Sequence, residues 1–237
     1  MHAVGGAPAF MKNLREFWKP LLPIMAAGAV YTLATIALWQ APGGAMRGFL
    51  VWNLFLACLP LVFARLLEWR PPERSRPLSC WPLAPWLLFF PNAPYMATDL
   101  IHLGHLEFYE PGAGYAGSLR NWAVLAHLAA GVFFGLLAGC RSLDMVRAAV
   151  RQAFCRRAEI ALLAVSIPLA GYAIYIGRFL RLNSWDVVRP WYLLQRLAEG
   201  MNGFAFAYSA LMAALIAFTY AVYRLFLRNN ALKETSS

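Results

Sequence analysis

The sequence predicts an all-α integral membrane protein: a six-span helical bundle with a proline-broken third span and an interfacial helix before the sixth. Two observations predict this fold class. Hydrophobic residues make up 61% of the 237 residues and charged residues only 14%, which is far more apolar surface than one soluble core needs. The apolar residues are also grouped into runs of about 20 residues, the length at which a helix crosses a membrane.

Six such runs define the predicted spans, at about residues 21–40, 48–67, 81–103, 121–140, 160–176 and 204–227. They leave a tail at 1–20, one membrane domain over 21–228 and a second tail at 229–237. The chain has no room for a separate soluble domain, and the lipid bilayer is its first predicted partner.

The placement of lysine and arginine predicts the orientation in the membrane. Of the 21 basic residues, 15 fall on the same side as the N-terminal tail and 6 on the opposite side. Because cytoplasmic loops carry the excess of Lys and Arg, both termini are expected in the cytoplasm. The net charge of +10 is therefore explained by topology, and no nucleic-acid partner is predicted.

Span four carries a stripe of glycines, Gly131, Gly135 and Gly139, at four-residue intervals. Small residues at this spacing let two helices approach closely in a membrane, so we expect this helix to pack against the alanine-rich sixth span. The four cysteines have no metal-ligand spacing and lie within a span or near the cytoplasmic side, which predicts no disulfide.

Span three contains two prolines, Pro91 and Pro94, that interrupt its apolar pattern. Each proline removes a backbone donor and clashes with the preceding turn, so we expect the helix to break there. A second half-helix would start near Pro94, with Asn92 or Ala93 as its cap. The positive end of its dipole would then point into the break.

Three polar residues of this half-helix, Tyr95, Asp99 and His102, recur at spacings of four and three and share one face. An unpaired aspartate in hydrocarbon costs several kcal/mol. Asp99 should therefore face a cavity or a cation, or be protonated.

A second polar motif follows span five. Arg178 and Arg181 end this span on the outer side, one turn apart, and two arginines so spaced suit a phosphate or carboxylate. Asn183 and Asp186 come next, in a segment whose polar residues suit the N-terminal cap of an interfacial helix over residues 187–199. The two motifs are expected on the same side of the membrane.

The candidate ligand-binding residues combine the two motifs: Asn92, Tyr95, Asp99, His102, Arg178, Arg181, Asn183 and Asp186. The leading hypothesis is an outer-facing polar pocket that binds an anionic lipid headgroup or a small solute, in a carrier or accessory role. A second is a membrane-embedded enzyme acting on a lipid-linked substrate, with Asp99 or His102 as base or metal ligand. A third is a purely structural Asp–Arg pair that fixes helix packing.

No cofactor is predicted, and no catalytic residue is assigned, because the sequence has no nucleophile elbow, phosphate-binding glycine loop or paired-cysteine motif. A metal site is a minor alternative, with His102 and His105 as its histidine pair beside Asp99 and Glu107. Their spacing matches no established zinc signature, so no metal is predicted.

Both motifs resemble those of a bacterial multi-pass membrane protein family known as domain of unknown function 1361. The resemblance rests on Phe90-Pro-Asn-Ala-Pro-Tyr95 with Thr98-Asp99 and His102-Leu103, and on Gly177-Arg178 with Arg181 and Asn183-Ser-Trp-Asp186. It extends from the second span to the sixth. It implies a multi-pass protein of a bacterial cytoplasmic membrane, and it implies no activity or substrate.

Overall fold

The structure, a computed structural model, describes residues 6–38, 45–68, 80–115, 117–182 and 184–234. Its regular elements are helical apart from one small hairpin. In chain order they are α1 (Gly6–Trp18), α2 (Leu22–Leu38), α3 (Ala45–Glu68), α4 (Leu83–Phe89), α5 (Asn92–Tyr95), a 3-10 helix (Met96–His105), β1 (Tyr109–Glu110), β2 (Gly114–Tyr115), α6 (Leu119–Ala153), α7 (Arg156–Tyr175), a π-helical turn (Ile176–Leu180), a second 3-10 helix (Ser184–Val188), α8 (Pro190–Gly200) and α9 (Gly203–Glu234).

Four of the described helices are long and apolar enough to cross a membrane: Gly48–Glu68, Leu119–Ala153, Arg156–Leu180 and Gly203–Asn229. A fifth is obtained if Lys12–Trp18 and Leu22–Leu38, which meet at 63°, form one bent span. Large apolar side chains lie exposed on the helices, as expected where lipid replaces water; Phe218, for example, is 70% exposed. The chain is therefore a helical membrane protein with several spans, and the count of six stays a prediction.

The segment predicted as span three is divided into short helical pieces. Helix α4 ends at Phe89, and α5 and the first 3-10 helix follow after Phe90 and Pro91. The backbone stays in the helical region at Phe90 (φ −51°) and at Pro91 (φ −61°), so the chain continues without reversing. What changes is the hydrogen bonding, because Ala93 N donates to Phe90 O, three residues back.

The capping role predicted for Asn92 is wrong. Pro91 holds the cap position of α5, and Asn92 Nδ2 instead donates to Phe89 O at 3.0 Å. The amide thus supplies a donor to the end of α4, where the change in hydrogen bonding leaves carbonyls without their usual partners. With only four residues, α5 is also too short for the helix dipole that the sequence suggested.

Two glycines of the α6 stripe, Gly135 and Gly139, pack against this divided segment, whereas Gly131 packs against Tyr31 of α2. Helix α6 also contacts α9, as the sequence predicted. A Cβ atom at Gly135 would lie 2.5 Å from Ala93 O and 2.9 Å from Met96 Cβ. A Cβ atom at Gly139 would lie 3.2 Å from Ala93 Cβ. The short side chain of Ala93 allows its backbone to come this close. Helix α9 packs more extensively against α7 than against α6.

The main buried core joins α3, α4, α6, α7 and α9. Its fully buried members include Trp86 and Phe90 from the divided segment, Leu143 and Val146 from α6, and Ile174 from α7. Trp86 and Phe90 stack with ring centroids 4.9 Å apart. The divided segment is therefore held inside the bundle by its own aromatic residues.

Candidate functional site

Asp99 and Arg178 form a buried ion pair that joins the two sequence motifs. Arg178 Nη2 donates to Asp99 Oδ1 at 2.9 Å, and Asp99 is 2% exposed. The second carboxylate oxygen, Oδ2, accepts a hydrogen bond from Asn53 Nδ2 of α3 at 3.0 Å. Three elements far apart in sequence thus meet at one carboxylate, whose two oxygens both have partners. This satisfies the requirement that a buried charge be paired and hydrogen-bonded.

The Arg178 guanidinium also contacts Thr98 and Tyr95. Its Nε donates to Thr98 Oγ1 at 3.0 Å, and its Nη2 bonds to the same hydroxyl. Thr98 Oγ1 in turn donates to Tyr95 O at 2.7 Å, and the guanidinium carbon lies 4.6 Å from the centre of the Tyr95 ring. The arginine is thus held by a carboxylate, a hydroxyl and an aromatic face, which suits a planar delocalised cation.

The end of α7 is shaped to bring Arg178 to this position. A π-helical turn covers Ile176–Leu180, and a Cβ atom at Gly177 would lie 3.2 Å from Tyr95 Cε2. Arg181 follows with φ 56° and ψ 33°, the left-handed region that a non-glycine residue seldom adopts. The turn and the left-handed residue end α7 and redirect the chain toward α8.

A cleft of about 320 Å³ lies beside the ion pair. Its walls come from α3, the α4–α5 region, the end of α7, and the segment that continues into α8. The lining is mostly apolar, with three polar side chains. These are Asn53, Asn92 and Tyr95. Two of them also contact the ion pair: Asn53 donates a hydrogen bond to Asp99, and the ring of Tyr95 lies against Arg178. The ion pair therefore lies directly behind this wall of the cleft.

The structure separates the two arginines that the sequence grouped. Arg178 is half-buried and paired with Asp99, whereas Arg181 is exposed and has no ion pair among the described residues. Asp186 is half-buried in the 3-10 helix Ser184–Val188. Asn183 lies outside the described residues. Helix α8 starts at Pro190 with Arg189 in the cap position and no side-chain cap, so the predicted cap near residue 183 does not serve this helix.

His102 and His105 are the histidines proposed as a base or as metal ligands. His102 is half-buried, and its ring lies edge-on to Phe49 with 5.4 Å between centroids. The side chain of His105 lies outside the described part of the chain. Within that part, no group of three His, Cys, Asp or Glu side chains is close enough to hold a metal ion.

Sequence reasoning missed Asn53 and gave Thr98 no role. Asn53 is a polar residue within an apolar span, and such residues usually face the inside of a bundle, so this signal was available. Its pairing with Asp99, 46 residues away, could be learned only from the fold. Thr98 has no such signal, because threonine often bonds to its own helix.

A second charged cluster, also missed, lies at the opposite end of α7. Arg147 pairs with Asp144 at 3.1 Å and with Glu159, and Arg224 Nη1 pairs with Asp144 at 2.6 Å. Tyr220 OH donates to the same oxygen of Asp144 at 3.2 Å. This cluster links α6, α7 and α9, just as the Asp99–Arg178 pair links the divided segment to the end of α7.

Comparison with known proteins yields a family. A family model described as "protein of unknown function (DUF1361)" matches residues 52–221, more than two thirds of the chain. The matched range contains both sequence motifs and, apart from Phe49, every residue that lines the cleft. No curated protein and no solved structure matches the chain.

Proposed function

The chain belongs to the DUF1361 family, and from that starting point we propose that it is a six-span protein of a bacterial cytoplasmic membrane that binds an anionic lipid headgroup in the cleft. Its role is non-enzymatic, as a carrier or accessory protein. The observation that carries the proposal is the cleft itself: apolar walls with three polar side chains, backed by a buried ion pair. Such a lining is typical of sites for small amphipathic ligands.

The size of the cleft favours a headgroup over a whole lipid. About 320 Å³ is at the lower end of the ~300–1,000 Å³ usual for small-molecule sites. A headgroup with the first atoms of its chains fits this volume, and the acyl chains remain in the bilayer. A small anionic solute would fit as well, but the apolar walls favour an amphipathic ligand.

The dimensions of the helices support a position at the membrane boundary. Glu159 and Arg178 are 19 residues apart on α7 and its π turn, which at ~1.5 Å per residue places the two charged clusters ~28 Å from each other. This matches the ~30 Å hydrocarbon core. The cleft would then open at the outer headgroup level, with both termini in the cytoplasm.

The divided segment is long enough to act as the predicted third span. From Leu83 to Tyr95 the helical rise contributes ~20 Å. The 3-10 helix Met96–His105 adds another ~20 Å at ~2 Å per residue. The sum exceeds the thickness of the hydrocarbon core, which supports six spans with a break in the third.

A second candidate role, purely structural pairing of Asp99 with Arg178, is favoured by one specific observation. The Arg178 guanidinium, which follows α7, contacts three residues of the divided segment: Asp99, Thr98 and Tyr95. The pair therefore holds the cleft walls together, and this role is compatible with ligand binding. The enzymatic alternative has less support, because Asp99 is 2% exposed and does not line the cleft.

Blocking the cleft tests the proposal. Leu193 of α8 lines the cleft, whereas its neighbour Leu194 is 57% exposed. We expect Leu193→Trp to reduce the retention of phosphatidylglycerol by the purified protein at least tenfold, measured by native mass spectrometry, because the indole fills the site. Leu194→Trp is the matched control and should retain the lipid like the wild type. Equal retention by both variants would rule out the cleft as the binding site.

A further inference from the structure

We infer that the cleft selects an anionic lipid whose headgroup carries a hydroxyl, and that Asn53 Oδ1 accepts the hydrogen bond from that hydroxyl. This inference rests on the proposed function and names the class of headgroup. It follows from the orientation of the amide side chains in the cleft and from the charges at its edge.

The two amides of the cleft lining use their donors inside the protein. Asn53 Nδ2 donates to Asp99 Oδ2 and Asn92 Nδ2 donates to Phe89 O, each at 3.0 Å. Carboxylate and carbonyl oxygens only accept hydrogen bonds, so each amide must turn its NH₂ group toward these contacts. The amide oxygens are thereby directed away from them.

The amide oxygen of Asn53 is the acceptor offered to a ligand. Asn53 lines the cleft, and within the described part of the chain its Oδ1 has no hydrogen-bond partner. Asp99 acts as a positioning residue, since its carboxylate fixes which end of the amide faces the cleft. A bare phosphate placed there would face an acceptor, whereas a hydroxyl would donate to it.

The charges at the edge of the cleft suit a phosphate. Leu182 and Val187 line the cleft, and the segment that carries them is bounded by Arg181 and Arg189, both exposed. Asp186 is the one acidic residue between these arginines in the sequence, so the segment carries a net charge of +1. The acceptor in the cleft and the positive edge together fit a phosphodiester that continues into a hydroxyl-bearing group.

An ammonium headgroup fits less well. An ammonium also donates hydrogen bonds, but the residues that line the cleft include no carboxylate to balance its charge. The edge of the cleft adds a positive charge, which disfavours a second cation. The inference is therefore restricted to hydroxylated anionic headgroups, with phosphatidylglycerol as the probe.

The test compares lipids that differ only in the headgroup, titrated into the purified full-length protein in a neutral detergent and followed by native mass spectrometry. Phosphatidylglycerol should bind about tenfold more tightly than phosphatidylmethanol, which has the same charge and no headgroup hydroxyl. Asn53→Leu should bring the two affinities together by weakening phosphatidylglycerol alone. Asn121→Leu is the control, because the amide of Asn121 bonds to Glu107 O outside the cleft and its loss should leave the ratio unchanged.

The possible outcomes distinguish a failure of this inference from a failure of the proposed function. Equal binding of the two lipids by the wild type would overturn the inference and leave the proposed function intact, and this result needs no variant to fold. Binding of neither lipid would overturn both. If phosphatidylethanolamine bound as tightly as phosphatidylglycerol, the proposed selection for a headgroup hydroxyl would be refuted. If free glycerol phosphate competed as strongly as the lipid, the proposal that the ligand is a lipid would be refuted.

Discussion

Arg178 is the residue whose contacts hold the ion pair together. Arg178 Nη2 bonds to Asp99, and the guanidinium also contacts Thr98 and the face of Tyr95. A lysine could supply the charge but not the planar fork that makes these contacts together. At the scale of the residue, the site is therefore a neutral pair, and any charge offered to a ligand comes from its neighbours.

Removing one partner of the pair should destabilise the protein strongly. Arg178→Met leaves the carboxylate of Asp99 buried with Asn53 as its remaining hydrogen-bond partner, so we expect the free energy of unfolding to fall by about 3–5 kcal/mol. The double variant Asp99→Asn with Arg178→Met should recover at least half of this loss, because no charge stays buried. Unfolding in detergent measures both, and a single variant within 1 kcal/mol of the wild type would contradict this account.

At the scale of the element, the divided segment and α6 depend on each other. The prolines weaken the α-helical hydrogen bonding of residues 90–95, and the glycines of α6 let this segment lie against the helix at backbone distance. A regular helix with larger side chains would not come so close. The close approach fixes the height of Tyr95 and Asp99 relative to α7, and so the position of the cleft wall.

A methyl group at Gly135 should disturb this packing. Gly135→Ala places a Cβ atom 2.5 Å from Ala93 O, and such overpacking should lower the free energy of unfolding by about 1–3 kcal/mol. Gly48→Ala is the matched control, since Gly48 lies in α3 with nothing within 4 Å of the added atom. It should be neutral or stabilising by up to about 1 kcal/mol. A similar loss in both variants would show that the contact with Ala93 does not cause the effect.

At the scale of the whole molecule, α7 connects two charged clusters across an apolar length of ~28 Å. Each cluster joins α7 to a different partner, the divided segment at one end and α6 with α9 at the other. Exposed apolar side chains lie along the helices between them. Charge at both ends and lipid-like surface between them is the arrangement that a membrane of ~30 Å imposes.

The native cysteines test the orientation. Cys80 and Cys155 are exposed and are predicted on the cytoplasmic side, whereas Tyr115 is 80% exposed in the hairpin predicted on the outer side. A membrane-impermeant maleimide should therefore label Tyr115→Cys in intact cells and label Cys80 and Cys155 only after the membrane is opened. Labelling of the two native cysteines in intact cells would reverse the proposed topology.

The sequence by itself determined the class of protein and identified Asp99, Arg178 and Arg181 as the candidates for an ion pair. Composition predicts a helical membrane protein because a bilayer demands long apolar helices, and an aspartate in such a setting demands a partner. Both properties depend on the local sequence, so they can be inferred without knowing the fold. For the same reason the two motifs could be found and assigned to one side by counting charges.

Only the tertiary structure decided which groups meet. It paired Asp99 with Arg178 and not with Arg181, because the π turn and the left-handed Arg181 place the two arginines differently. It added Asn53, and it placed Gly135 and Gly139 of α6 against the divided segment. Contacts between residues 46 or 79 positions apart depend on how helices cross, and helical periodicity shows which face of a helix is apolar but not which neighbour that face will meet.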